Sequence, residues 1–232
     1  MMRFTPARCR TQVQNTLDAL LNSQLAVDCQ PAVITTYTGG FRRVSWPRYP
    51  IFSSKQPFSA DFFTIESFYN WLINRQYSAV LFDGSLLQLT FDFQNTELTG
   101  QRLAYIPCPF NLDELGVEML RSEPILDVID FYRCHGEEYL RLRTPLRFDF
   151  HPSAASVDHP AVHLTLNEQG CRIPVCAPLT LGQFIELVFR YFYPTTWSEN
   201  DFLCDIDPMR LPRDILYVHE QSLHLNWRTY TA

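Results

Sequence analysis

The sequence is poor in glycine and lysine, residues on which many phosphate-binding loops and nucleic-acid surfaces depend. It holds 8 glycines in 232 residues and no GxGxxG or GK[ST] run, which excludes the nucleotide-hydrolysing motors that use such loops. Lys55 is the single lysine, and 19 basic against 25 acidic side chains give a formal net charge of −6. We therefore do not expect an extended surface for duplex DNA.

Long apolar runs and paired cysteine spacings are also missing. No stretch approaches the roughly 20 apolar residues of a membrane span, and the basic residues after Met1 lead into polar sequence rather than a signal-peptide core. The 7 cysteines are odd in number and show no paired spacing, which is typical of reduced thiols. These absences predict a cytoplasmic protein with no membrane partner.

The composition is that of a well-filled globular protein. Hydrophobic residues make up 46% of the chain and charged residues only 19%, so a large core can form. No linker, low-complexity tract or fixed-period repeat interrupts the sequence. We expect a single α+β domain over residues 1–232, with a two-lobed organisation divided near 135–145 as the alternative.

Hydrophobic periodicity predicts the individual elements. Helical spacing occurs at 11–25, 64–75 and 180–193, and two short helices are predicted within 111–135, separated at Glu123-Pro124. Asp83-Gly84 predicts a hairpin between strands 79–82 and 86–93, which strand 102–106 extends into a meander. Further strands are predicted within 32–44, at 146–150, 161–166 and 172–175, and at 222–227. The expected fold is a largely antiparallel sheet, made of the meander and a second three-strand unit, packed against several helices.

Alternation along the second three-strand unit gathers polar side chains on one face. In LRFDFH the odd-numbered residues are polar, and HLT in the next strand follows the same rule. Arginine neutralises an oxyanion and histidine titrates near neutrality, so such a face suits a phosphate ligand. The candidate catalytic residues are His163, His151 and Asp149, and the candidate ligand-binding residues are Arg147, Arg172 and Thr165. The alternative is the ordinary solvated side of a half-buried sheet.

Two narrower patterns overlap this stretch. His163-Leu164-Thr165 has the H-x-T form of two-histidine phosphoesterases, but the possible second copy, His224-Leu225-Asn226, carries Asn226 where a hydroxyl is needed. This defect indicates that the H-x-T match at His163 arose by chance. Zinc stays open as a ligand because His, Cys and Asp crowd the segment, namely Asp149, His151, His159, His163, Cys171 and Cys176. No CxxC or HExxH motif is present, so no metal site is assigned and no cofactor is predicted.

Basic and aromatic residues interleave at one place. Arg42, Arg43 and Arg48 alternate with aromatic residues that include Trp46 and Tyr49, as in surfaces that bind single strands. Trp46 lies beside Pro47, where an exposed loop anchor is expected. Single-stranded nucleic acid or a nucleotide therefore stays open as a ligand, and a solvated strand edge is the alternative.

Five sequence blocks resemble the bacterial domain-of-unknown-function family 2290 (DUF2290). In order they are AVLFDGSLLQLTFDF, RLAYIPCPF, PLRFDFHP, HPAVHLTL and CRIPVCAPLTLGQFIELVFRYFYP, which together span about half of the chain. The resemblance implies a single bacterial cytoplasmic domain of this length. It implies no activity and no catalytic residue.

Two hypotheses about function follow. The first is a non-enzymatic component of a multiprotein system that docks a protein partner, which we prefer because no complete catalytic motif is present. The second is a phosphate-containing ligand, a nucleotide or RNA, bound or cleaved at the Arg/Asp/His sheet face. The second hypothesis requires the strands that carry Arg147 and His163 to be neighbours. Whether the protein is an enzyme is left open.

Overall fold

The sequence folds into one antiparallel sheet between two groups of helices. The structure, a computed structural model, describes residues 4–47, 63–135, 137–141, 143–167, 170–204, 206, 211 and 214–226. Within them nine strands form one sheet with the central order β1-β4-β5-β6-β7-β8-β9, and β3 pairs with both β2 and β5. The strands are β1 (Ala26–Cys29), β2 (Val33–Thr36), β3 (Phe41–Ser45), β4 (Ala79–Leu81), β5 (Leu86–Gln94), β6 (Glu97–Ile106), β7 (Leu146–Phe150), β8 (Val162–Leu166) and β9 (Arg172–Pro174).

Seven α-helices lie in the described part of the chain. They are α1 (Pro6–Asn22), α2 (Ile65–Ile73), α3 (Glu114–Ser122), α4 (Ile125–Cys134), α5 (Leu181–Phe192), α6 (Pro194–Glu199) and α7 (Tyr217–Glu220). Threonine side chains cap the first turns of α1, α2 and α5, where Thr5, Thr64 and Thr180 accept hydrogen bonds from backbone N–H groups. None of these helices combines the length and apolar composition needed to cross a bilayer.

Alternation along the strands sends apolar side chains to both faces of the sheet. On one face Leu89, Phe91 and Phe148 join the core formed with α1 and α5. On the other, Leu86 and Ile106 join a second core formed with α2, α3 and α4. The second core covers only part of its face. The rest of that face carries polar side chains.

Pairing of β6 with β7 joins the two predicted strand units. Tyr105 pairs with Leu146 and Gln101 with Phe150, so the sheet continues across the chain segment 135–145. The α+β single-domain fold with a largely antiparallel sheet is therefore as predicted. The two short helices within 111–135 are also confirmed as α3 and α4, with Pro124 at the start of α4.

Some predicted boundaries were wrong. The first helix runs from Pro6 to Asn22 rather than 11–25, because Thr5 caps it and proline suits its first turn. Strand β1 was not predicted, since four residues are too few to show alternation. In place of a strand at 222–227, Leu225 forms a single parallel bridge with Val175, and residue 227 lies outside the described residues.

Candidate functional site

The structure brings five of the six predicted site residues onto three neighbouring strands. Strand β7 pairs with β8 and β8 with β9, all antiparallel. Arg147 lies opposite Thr165, which lies opposite Arg172, and Asp149 lies opposite His163. The five side chains therefore form two adjacent rows on one face of the sheet.

Two arginines hold Asp149. Arg147 Nε donates to Asp149 Oδ2 at 2.6 Å, and Arg102 Nε donates to Asp149 Oδ1 at 2.7 Å. Burial by itself raises the pKa of this carboxyl, but the charges of Arg102 and Arg147 outweigh burial and lower the pKa to about 2. Asp149 is therefore ionised at neutral pH, and it fixes the direction of both guanidinium groups.

His163 is buried and neutral. Its Nδ1 lies 2.9 Å from the carbonyl oxygen of Pro160. A carbonyl only accepts, so Nδ1 carries the proton and Nε2 is left as an acceptor. Nε2 lies 3.6 Å from Asp149 Oδ2. Burial lowers the pKa of His163 to about 4, against the opposing charge of Asp149.

A second histidine borders this cluster. The rings of His159 and His163 meet edge to face with centroids 4.9 Å apart. Burial and then the charge of Arg172 lower the pKa of His159. His151 does not join the buried cluster, because β7 has ended and its side chain is exposed. Its backbone N–H donates to the carbonyl of Ala161 instead.

The polar face continues onto strands that the sequence reasoning had not connected to it. Thr90 on β5 pairs with Arg102 on β6, which pairs with Asp149, while Gln88 lies two positions along from Thr90. Ala104 lies between Gln88 and Arg147 in the second row. We call this surface the polar sheet face and define it by eight residues: Gln88, Thr90, Arg102, Arg147, Asp149, His163, Thr165 and Arg172.

A signal for the added residues was present in the sequence. In LLQLTFDF the apolar residues predict a strand, and the intervening Gln88, Thr90 and Asp92 are its other face. Arg102 could not be assigned as a partner of Asp149 from periodicity, because 47 residues separate the two along the chain. Only the register of β6 against β7 brings them together.

Several buried polar atoms of this face have no hydrogen-bond partner among the described residues. They are Gln88 Oε1, Thr90 Oγ1, Thr165 Oγ1 and Arg172 Nε. Gln88 is fully buried and Thr165 is only 5% exposed, so this is not the solvated side of an ordinary sheet. An unpaired buried donor or acceptor costs about 1–3 kcal/mol. Such groups call for a partner, which can be an ordered water, an ion or a ligand.

The charge of the polar sheet face is positive although the protein is acidic overall. Three arginines, Arg102, Arg147 and Arg172, lie on this face with the one carboxylate of Asp149. At the neighbouring edge of the same face, Arg43 and Asp92 neutralise each other through two hydrogen bonds of 2.6 and 2.7 Å. The excess cation charge therefore lies on β6 to β9.

The other sequence patterns fall elsewhere. Leu225 pairs with Val175, which puts His224 on the far side of β9 from His163, and its Nδ1 lies 3.0 Å from Ser222 O. Cys171 is exposed, whereas Cys176 is buried. Among the described residues, no three His, Cys, Asp or Glu side chains lie close enough together to hold a metal ion.

The structure of the basic and aromatic segment around Arg42, Arg43 and Trp46 differs from the one predicted. Trp46 is 2% exposed, so the expected exposed anchor was wrong. The reason is that Trp46 directly follows β3, whose last residues Val44 and Ser45 are buried. Arg43 is engaged by Asp92, and Arg48 and Tyr49 lie outside the described residues.

Exposed apolar side chains occur on two segments that contact each other, one at Val157 and the other at 217–223; we call them the apolar surface patch. Val157, Tyr217 and Leu223 are 69%, 75% and 91% exposed. The buried His219 joins the segments, because its Nε2 lies 2.8 Å from the carbonyl oxygen of Val157. Exposed apolar side chains on neighbouring segments are a feature of protein-binding surfaces.

Comparison with known proteins gives a family but no function. The family model described as "Uncharacterized conserved protein (DUF2290)" matches residues 26–227, a span that includes every strand of the sheet. No significant match was found among curated proteins or among solved structures. Because the family match covers most of the chain and agrees with the five sequence blocks, this protein belongs to the DUF2290 family.

Proposed function

We propose that the polar sheet face binds a ligand that carries a phosphate group. The observation that supports this proposal is a surface on which three partly exposed arginines lie beside the buried carboxylate of Asp149 and beside buried atoms that lack a hydrogen-bond partner among the described residues. Buried charges and polar groups are unfavourable unless they are paired, so a surface of this kind suits an anionic partner. An anionic ligand also neutralises the positive charge of the polar sheet face.

Arg172 and Thr165 are the residues that we expect to contact the phosphate. They lie opposite each other on β9 and β8, and each has a buried atom without a hydrogen-bond partner. A guanidinium group and a hydroxyl can both donate to phosphate oxygens. Asp149 acts through the arginines that it orients, so we treat it as a positioning residue.

Binding is supported better than catalysis. A general acid or base works best with a pKa near the working pH. The pKa of Asp149 is lowered to about 2 and that of His163 to about 4, so both are deprotonated at neutral pH. His163 Nε2 then serves as a hydrogen-bond acceptor beside the anion site.

Isothermal titration calorimetry with inorganic phosphate and with ribonucleoside monophosphates tests this proposal. We expect saturable binding by the wild-type protein and a loss of about tenfold or more in affinity for Arg172→Gln. Arg190→Gln is the matched control, because Arg190 is exposed on α5 and pairs only locally with Glu186 in the described structure. Its affinity should equal that of the wild type.

Two results would contradict the proposal. One is the absence of binding by the wild-type protein to every ligand in the series. The other is an equal loss of affinity in Arg172→Gln and Arg190→Gln, which would indicate a general effect of net charge rather than a site.

The second candidate function is docking of a protein partner at the apolar surface patch of Val157, Tyr217 and Leu223. It is supported by their exposure. Native mass spectrometry of the protein purified gently from its own host should detect a bound polypeptide that Leu223→Asp loses. Leu115→Asp on α3 is the control, because Leu115 is also highly exposed and lies outside the patch. A polypeptide retained by Leu223→Asp would refute this assignment.

A further inference from the structure

His159 borders the proposed phosphate site and carries an unpaired ring nitrogen. It lies just before β8, is partly exposed, and its ring meets the ring of the buried His163 with centroids 4.9 Å apart. Its Nδ1 is buried and has no hydrogen-bond partner among the other described residues. A buried ring nitrogen in this state calls for a partner.

The strand register places Arg172 close to these two histidines. Arg172 lies opposite Thr165, and Pro174 lies opposite His163, so Arg172 and His163 are diagonal neighbours on β9 and β8. Diagonal neighbours are about 7–8 Å apart, which is within the reach of a long side chain. Arg172 Nε is also buried without a hydrogen-bond partner in the described structure. Hydrogen bonds of about 2.8 Å from two of its oxygens allow one phosphate to join the guanidinium and the imidazole.

The charges around His159 favour a neutral imidazole. Burial and then the positive charge of Arg172 lower its pKa from the ordinary value of 6.5, and His151 acts in the same direction. The backbone carbonyl of His159 and the carboxylate of Asp149 act in the opposite direction. The ring in contact with it, that of His163, is neutral. An anion bound beside Arg172 supplies an opposite charge and therefore favours the imidazolium form of His159.

We infer that His159 is a further phosphate contact and that it binds the anion in its protonated form, so that ligand binding takes up a proton from the solvent. This inference rests on the proposed phosphate-binding function and adds the regulation of that site by pH. The imidazolium donates from Nδ1, which gives the buried nitrogen a partner, and its charge adds to that of Arg172. By linkage, affinity for phosphate should increase as the pH falls through the neutral range.

Calorimetry with inorganic phosphate, in buffers of different ionisation enthalpy, measures the number of protons taken up. His159→Gln is the test variant, because glutamine keeps an N–H donor but does not titrate. At about pH 6.5 the wild-type protein should take up about half a proton or more per phosphate beyond the value for His159→Gln, since a nearby opposite charge raises a pKa by about 1–3 units. The titration of phosphate itself is common to both proteins and cancels in this difference. The wild-type affinity should exceed that of His159→Gln by about tenfold at about pH 6, and the two affinities should converge towards about pH 8.

His135→Gln is the matched control. His135 is exposed and directly follows α4, which carries no residue of the polar sheet face. Its variant should equal the wild type in affinity and in proton uptake. Sulfate provides a second measurement on the wild-type protein alone, because sulfate does not titrate near neutrality and any proton uptake then belongs to the protein.

The outcomes separate the inference from the proposed function. If phosphate binds and the wild type and His159→Gln take up the same number of protons, the phosphate site stands and the inference is overturned. A loss of affinity in His159→Gln that is equal at about pH 6 and about pH 8 also overturns it, because the contact would then not depend on a proton. Sulfate binding without proton uptake has the same meaning. If neither anion binds to the wild type, the proposed function fails and the inference fails with it. Thermal unfolding verifies that each variant is folded, and His159→Asn replaces His159→Gln if the latter is unstable.

Discussion

Thr165→Val replaces a buried hydroxyl by a methyl group of similar shape and should have opposite effects on folding and binding. Thr165 is 5% exposed on β8, and its Oγ1 has no hydrogen-bond partner in the described structure. Both residues are β-branched, so the strand conformation is equally favourable for valine.

The expected size of each effect follows from the position of the hydroxyl. An unpaired buried hydroxyl costs about 1–3 kcal/mol, so its removal should raise the free energy of unfolding by about 1 kcal/mol or more. For a domain of this size each 1 kcal/mol raises the melting temperature by about 2–4 °C. A hydrogen bond to a charged group contributes about 1.5–3 kcal/mol, so affinity for the phosphate ligand should fall by about tenfold or more.

Urea denaturation and calorimetry measure the two effects on the same protein samples. Thr36→Val on β2 is the control, since this exposed threonine should change the unfolding free energy by no more than about 0.5 kcal/mol and leave affinity unchanged. A Thr165→Val protein that is less stable than the wild type and binds equally well would refute the reasoning, because the hydroxyl would then have a structural partner.

Three further predictions concern the same structure. Asp149→Asn should lower the free energy of unfolding by about 3 kcal/mol in urea, because the two flanking arginines lose their buried counter-ion; a change below about 1 kcal/mol would contradict this. The contribution of His163 to wild-type stability should fall by about 3 kcal/mol as pH decreases from about 6.5 to 4, because unfolded His163 binds a proton that the folded state resists, and the loss over this range should be smaller by about that amount in His163→Asn. Gly116→Ala should destabilise by about 1–3 kcal/mol in thermal unfolding, since its methyl group would collide with the Tyr132 hydroxyl; unchanged stability would show that the contact adjusts freely.

Much of the candidate site could be predicted from local sequence. The alternation in LRFDF and HLTL predicted which side chains share a face if the two strands pair, as β7 and β8 do. His151 was placed with them because the alternation continues past Phe150. The strand ends there, so His151 is exposed.

The remainder depends on contacts distant in sequence. Arg102 meets Asp149 only because β6 pairs with β7 in one register, and periodicity carries no information about register between distant strands. The burial of Gln88 could not be predicted from the sequence either. Alternation in β5 predicts a polar face, but it does not predict whether other residues cover that face. Trp46 was expected to be exposed because a proline follows it. The buried end of β3 determines its position instead.

Nuclear magnetic resonance of ¹⁵N-labelled histidine side chains during titration with a nucleoside monophosphate tests the central claim most directly. His163 lies on the polar sheet face with a proton on Nδ1, and His163→Asn assigns its signals. We expect these signals to shift saturably, while those of the exposed His135 after α4 stay unchanged. Signals of His163 that do not respond to any nucleotide or to inorganic phosphate would contradict ligand binding at this face.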